Sequence, residues 1–207
     1  TNTLCVVTSA FSSYSGCRQY HDDIASAQQR VAGAPAVRRV RVYWNHPGFL
    51  GAVAARIEQA RRDAGLTHDV HTVFTAHSIP VAQAETCDYQ SQLTEAMSLI
   101  GASAQLTGPV ELAFQSRSGP PHIAWLEPDI GARLAAIASS GTAAVLVVPL
   151  GFVSDHMEVI HDLDELAAGV ATAAGLRMVR AATVGTHPQF VSMLVDLLEE
   201  AAGLRSD

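Results

Sequence analysis

Six short runs rich in β-branched and aliphatic residues recur along the chain, separated by segments whose apolar residues repeat every three or four positions. The runs are LCVVTSA (4–10), VRRVRVY (37–43), DVHTVFTA (69–76), PVELAFQS (109–116), AAVLVVPLG (143–151) and LRMVRAA (176–182). Runs of this kind read as strands buried on one or both faces. Leu50, Val53, Ala54 and Ile57 form a helical stripe that Gly65 closes, and Tyr89, Leu93, Met97 and Ile100 form another that ends at Gly101. Pro128 suits the first turn of a third helix, with Ile130, Leu134 and Ile137 on its buried side and Gly141 past its end. Phe190, Leu194, Leu197 and Leu198 line a last helix over 188–202. Strand and helix in alternation predict parallel βαβ units with right-handed crossovers, hence an α/β fold of doubly wound parallel sheets with helices on both faces.

In such folds ligands bind beyond the carboxyl ends of the strands, which makes the residues after each strand the place to look for chemistry. Those residues are FSSYSGCRQY (11–20), HSIP (77–80), RSGPPHIAW (117–125) and FVSDHMEVIHDLDEL (152–166). None contains GxGxxG or GxxxxGK[ST], so neither a dinucleotide nor a nucleoside triphosphate has a cradle here. His77 closes an apolar strand and is followed by Ser78 and then Pro80, which delays the next helix. An imidazole placed there can take a proton or bind a divalent ion at neutral pH, although a histidine satisfied by backbone groups suits the position equally well. In the last segment Ser154 or Asp155 would cap a helix below which Glu158, Asp162 and Glu165 recur at i, i+4 and i+7. That face is either a solvated acidic surface or a cleft-mouth set of carboxylates for a cation or for proton transfer. Tyr14, Tyr20 and Trp125 offer flat surface at two other strand ends, suited to a planar ligand or to ordinary packing.

Composition removes several classes of function. The net charge of −7 and the lack of a basic block argue against nucleic acid. No apolar stretch approaches the roughly 20 residues that span a bilayer, and no signal peptide is visible, so no transmembrane segment and a cytoplasmic location are expected. Cys5, Cys17 and Cys87 lack CxxC spacing and read as reduced thiols. Nine histidines invite a zinc reading, but no HExxH or paired His/Cys spacing supports it. His21, His46, His68, His71, His122, His161 and His187 are expected to serve surface or packing roles.

FTAHSIP (74–80), FQSRSGPPHIAWLEPD (114–129) and VVPLGFVSDHMEVIHDLDEL (147–166), in this order and spacing, resemble the three signature segments of the ferrochelatases, which insert ferrous iron into a porphyrin. TSAFSSYSGCRQY (8–20) resembles the form found in high-GC Gram-positive bacteria, whose members act on coproporphyrin III. The resemblance implies a chelatase-like fold of two Rossmann-like lobes and covers all 207 residues. It implies His77 as proton acceptor and iron ligand, Glu158 as its partner at the metal, and Asp155 and His156 in supporting positions. Tyr20 matches a porphyrin-contacting tyrosine, Asp162 matches the next acid of a ladder that delivers metal or removes protons, and Trp125 lies in the second segment as a supporting aromatic. The third rung falls on Leu166, with Glu165 one residue early.

Porphyrin, coproporphyrin III or protoporphyrin IX, and ferrous iron as substrate are therefore the expected partners, with no organic cofactor. Some relatives hold an iron–sulfur cluster through a cysteine near Cys17 and three in a C-terminal tail; this sequence ends GLRSD, so a cluster is not expected. His77 and Glu158 are expected to converge on one cleft across the centre of the ring, with a gap too wide for a hydrogen bond but suited to a ring or to a metal and its water. Family chains carry a longer N-terminal part, so residues 1–68 are expected to be the remainder of a first lobe. Residues 69–185 then form the C-terminal lobe, and 186–207 a helix packing back on the first. An incomplete first lobe is expected to promote self-association. Two further readings accompany the main one: an inactive or truncated porphyrin-binding remnant, and a cobalt chelatase of tetrapyrrole synthesis, which would be expected to use paired histidines.

Overall fold

The computed structural model describes residues 2–204, the side chains of Asn2 and residues 15–17 excepted. Two parallel sheets organise it. β1 (Asn2–Cys5) pairs with β2 (Ala36–Arg39), and a four-stranded sheet runs in the order β4 (Val110–Gln115), β3 (His71–His77), β5 (Ala144–Val148), β6 (Arg177–Arg180). The chain moves outward from β3 to β4 and then crosses back over β3 to lay down β5, so the order reverses at β3. Such a reversal opens a crevice at the carboxyl ends of the strands, and His77 is the last residue of β3.

Helices cover both faces. After β1 a π-helical stretch (Tyr14–Gln19) leads into α1 (Tyr20–Arg30), and after β2 comes α2 (Pro47–Ala64). A short α3 (Val81–Ala84) and α4 (Tyr89–Ser103) connect β3 to β4, and α5 (Ile130–Ser139) connects β4 to β5. Between β5 and β6 one helical run passes through α6 (Met157–Val159), a second π-helical stretch (Ile160–Ala167) and α7 (Ala168–Ala173). α8 (Pro188–Ala202) closes the order. Alternate residues of the strands divide between two cores: Phe74, Ala76, Phe114, Leu146 and Val148 pack with α2, α4 and α8, while Val73, Ala113, Val145 and Val147 pack with α5, the second π stretch and α7. Side chains at even and odd strand positions thus meet different helices, as the period-2 geometry requires.

Local chemistry sets the helix ends. His46 caps α2 by accepting the Gly48 N–H at its Nδ1 (3.1 Å), Pro47 fills the first position, and Gly65 ends the helix at φ +64°. The sequence pattern recurs at α8, where His187 and Pro188 precede Phe190 as His46 and Pro47 precede Phe49, but the His187 side chain makes no capping bond. The two phenylalanines meet with centroids 6.3 Å apart, and Tyr43 touches both. α2, which follows the small sheet, packs against α4 and β6 of the large one, and α8, which follows the large sheet, reaches back to β1.

Several sequence expectations need correction. β1 ends at Cys5, because residues 6–10 leave the small sheet and run inward to bury Ala10 and Phe11. α1 was not expected: it buries no residue, so it carries no apolar stripe by which periodicity could find it. α4 continues through Gly101 to Ser103. Pro128 stands before the N-cap of α5 rather than in its first turn; the cap is Asp129, whose carboxylate accepts the N–H groups of Gly131 and Ala132. Neither Ser154 nor Asp155 caps the helical run after β5, since His156 does.

Candidate functional site

The strand-end residues come together around a cleft of about 600 Å³. Thr8, Ser9, Ser13 and Tyr20 line it from the β1 side, His77 through Pro80 from β3, Trp125 from the loop after β4, and Gly151, His156 and Glu158 from the segment after β5. Thr8, Ser9, Ser13, Ser78 and Ser118 line it as well, the hydroxyls of Ser9 and Ser78 donating to the carbonyls of Phe11 and Leu126.

His77 is held at both ends of its residue. Its carbonyl accepts the Tyr89 hydroxyl (3.0 Å), and its Nδ1 bonds to the carbonyl oxygen of Ser78 (2.5 Å). A carbonyl can only accept, so Nδ1 carries the ring proton and Nε2 presents a lone pair to the cleft. Burial, with Cys87 as a lesser cause, pushes the Tyr89 phenol well above its ordinary pKa, which keeps it a donor. Ser78 donates from its backbone to the Gln115 carbonyl and from its hydroxyl to the Leu126 carbonyl, which fixes the turn on which the imidazole sits.

Across from Nε2 stands Glu158, with Oε1 3.5 Å away. That separation exceeds an ordinary N–H···O hydrogen bond. A divalent ion about 2.1 Å from each atom would subtend roughly 110° between them, an ordinary ligand angle. A macrocycle does not fit between them, since two van der Waals contacts need about 7 Å. The expected gap wide enough for a ring is therefore corrected: as the two side chains stand, it is too narrow for one. Among the described residues no group of three or more His, Cys, Asp or Glu side chains gathers closely enough to hold a metal. The pair offers two donors.

The remaining expected residues divide by role. His156 caps α6: its Nδ1 accepts the Glu158 N–H (3.3 Å), and its ring packs edge-on against Phe152. Asp155 and Asp164 are both bound by Arg180, which ends β6. Asp162 accepts a short hydrogen bond from the Ser116 hydroxyl. Tyr20 is exposed at the start of α1, on the rim. Trp125 packs its indole against Gly119, where a Cβ would lie 2.5 Å from the ring, and its Nε1 is buried without a partner among the described residues.

The acidic face read as Glu158, Asp162 and Glu165 does not form. A π-helical stretch uses i→i+5 hydrogen bonds and takes more than four residues per turn, so the alignment runs Glu158, Asp162, Leu166. Glu165 turns aside and pairs with His161 (2.7 Å) in solvent, and Leu166 is exposed. Gln115 and Arg180 contribute to the site without having been singled out from the sequence. Each sits inside an apolar strand run, where nothing local marks it as functional; only the parallel register puts Gln115 beside His77. The iron–sulfur expectation turns on Cys17, whose side chain lies outside the described residues; Cys5 and Cys87 are free thiols. No helix among the described residues is long and apolar enough to cross a membrane.

The sequence model of the ferrochelatase family matches residues 1–202. A coproporphyrin III ferrochelatase of Frankia alni is 48% identical over 95% of this chain and 54% of its own length. A ferrochelatase of Rhodopirellula baltica is 46% identical over 97% of this chain and 58% of its own. The chain thus spans a little over half the length of these relatives. Among solved structures, SirB from Bacillus subtilis superposes with a TM-score of 0.67 at 13% identity, over 98% of this chain and 72% of that one. CbiX, described as the terminal enzyme of siroheme biosynthesis in denitrifying bacteria, superposes with a TM-score of 0.64 at 18% identity, over 97% and 76%. These two likenesses establish the fold, which is chelatase-like.

Proposed function

Because the chain belongs to the ferrochelatase family, we propose that it inserts ferrous iron into a porphyrin, with coproporphyrin III as the substrate and His77 and Glu158 as the working pair. The observation that carries this reading is the 3.5 Å separation of His77 Nε2 and Glu158 Oε1 at the strand end where the sheet order reverses. Metallation releases two pyrrole protons for each ion bound. With Nδ1 protonated, His77 Nε2 is free to accept the first of them, and the Glu158 carboxylate offsets the charge of the ion while it loses water. Asp162, one π turn further and held by Ser116, is the next group along the path for departing protons or the ion's water. The Trp125 indole and the Tyr20 ring supply flat walls for the macrocycle, and the Thr8 and Ser118 hydroxyls are suited to its carboxylates.

A cobalt chelatase relying on two histidines finds less support, because the nearby His156 spends its Nδ1 on the helix cap and the side chain facing His77 is a carboxylate. Anaerobic iron insertion into coproporphyrin III, followed by the shift of the porphyrin absorption band, tests the reading. Turnover, low beside that of a full-length relative, is expected with the unsubstituted chain, and His77→Ala is expected to lower it about 10²-fold or more with porphyrin binding retained. Near-full turnover in that variant, or no porphyrin binding by the unsubstituted chain, would overturn it.

A further inference from the structure

We propose that Gln115 is the positioning residue that sets the separation of the His77–Glu158 pair, by tying the backbone of Glu158 to the strand beside His77; this rests on reading that pair as the metal-handling site. Gln115 ends β4 in register with His77, and parallel partners in register project to the same face, here the one covered by α5 and the acid-bearing helical run. Its Nε2 donates to the Glu158 carbonyl oxygen at 2.7 Å. Because a carbonyl only accepts, the amide can point only one way, with nitrogen toward the helix. Oε1 is then left buried without a partner among the described residues, and Gln115 as a whole is 1% exposed. An apolar side chain of the same volume would avoid burying an unsatisfied oxygen, so the single bond to Glu158 is what accounts for an amide at this position.

The next residue extends the same grip. Ser116 lies at φ +62°, a conformation that residues other than glycine rarely adopt, and its hydroxyl donates to Asp162. Two consecutive strand-end residues therefore hold the helical run at two points one π turn apart, the Glu158 backbone and the Asp162 carboxylate. His77 is fixed by the sheet and by the Ser78 carbonyl, so whatever fixes Glu158 to that sheet decides the gap between them. Loss of the Gln115 bond lets the first turn of the run move relative to His77 while the porphyrin walls at Trp125 and Tyr20, which Gln115 does not touch through any hydrogen bond, stay in place.

The test is Gln115→Met, which keeps the volume and removes the donor, with Gln115→Asn as a second, milder variant that keeps an amide one methylene short. Cobalt(II) serves as the probe, titrated into the 207-residue chain and read by its visible d–d absorption, alongside porphyrin fluorescence titration and the iron dependence of insertion. The unsubstituted chain is expected to bind Co2+ at a site lost in His77→Ala. Gln115→Met is expected to weaken Co2+ binding about 10- to 100-fold and to raise KM for iron, with porphyrin affinity and melting temperature little changed and Gln115→Asn intermediate. Unchanged Co2+ affinity and spectrum in both variants, a matching loss of porphyrin binding, or no Co2+ binding by the unsubstituted chain would overturn the proposal. Co2+ binding that responds as described in a chain that inserts no iron would instead sink the proposed function and leave the positioning role standing.

Discussion

Arg180 offers the most quantitative test of how the acid-bearing segment is held. Its guanidinium ends β6 with only 17% of the side chain exposed, and it donates from Nε and Nη2 to the two carboxylate oxygens of Asp164 (2.5 and 2.9 Å) and from Nη1 to Asp155 (3.0 Å). The bonds to Asp164, with Asp155 second, raise its already high pKa. It therefore pins both the turn before His156 and the π stretch after Asp162. Arg180→Met keeps the length and removes all three charged bonds. Fully buried bonds of this kind contribute about 1.5–3 kcal/mol each. Asp155 and Asp164 expose 37% and 38% of their side chains, so water and salt take over much of that interaction. A discounted contribution of roughly 0.5–1 kcal/mol per bond gives a loss of about 2 kcal/mol. For a chain of this size that is a fall of roughly 4–8 °C in melting temperature. Differential scanning calorimetry of Arg180→Met, Asp164→Asn and the double variant would measure it, with a coupling of about 1 kcal/mol expected between the two sites and a smaller one at high salt. A melting temperature unchanged in Arg180→Met, or strictly additive losses, would refute the view that this arginine anchors the segment.

Two further outcomes are expected. In Gly119→Ala the new methyl would start 2.5 Å from Trp125 Cζ2, so the indole must shift by about 1 Å; iron insertion should fall about 10²-fold, and an unaltered rate would show that the indole is not a wall of the working site. At the other end of the large sheet, burial alone would raise the pKa of Glu111, but hydrogen bonds from Arg133 and His71, and their charges, outweigh it and hold the carboxyl below its ordinary 4.5. A depressed carboxyl contributes stability above its unfolded value that disappears as the pH falls through its folded one. The stability lost in Glu111→Gln should accordingly be full at neutral pH and shrink below about pH 4.5, as read by urea unfolding across that range; a difference that stays constant on acidification would contradict the assignment.

The alternation of strand and helix was legible because burial imposes it: β3, β5 and α2 are apolar where they meet the core, and their spacing alone reveals them. What periodicity could not reveal was structure that buries little, such as α1, or that departs from the α period, such as the π stretch that swings Glu165 into solvent. His77 and Glu158 stood out at strand ends, and the likeness to the ferrochelatase segments paired them; their convergence follows from the parallel order of β3 and β5. Their distance did not, because the groups that hold the acid-bearing run, Gln115 at the Glu158 backbone and Arg180 at Asp155 and Asp164, lie far from it in sequence. The caps at Asp129 and His156 were misplaced by a residue or two for a related reason: several side chains near each helix start could cap it, and three-dimensional contacts select one.

The crossing of α2 and α8 bears on how the cleft can move. Each helix leaves the sheet that precedes it and joins the core beneath the other, and at their meeting a Cβ on Gly48 would fall 2.7 Å from the Cβ of Met193. Phe11 and Tyr43, from the side of the small sheet, share one apolar cluster with Leu146 and Val148 of the large one. Separating the two walls of the cleft would thus tear that cluster, so a rigid swing of one sheet away from the other amounts to partial unfolding. On the proposed function a flat ligand would enter past the exposed Tyr20 ring at the rim, and amide exchange should be quick there while α2 and α8 are released only with the whole molecule.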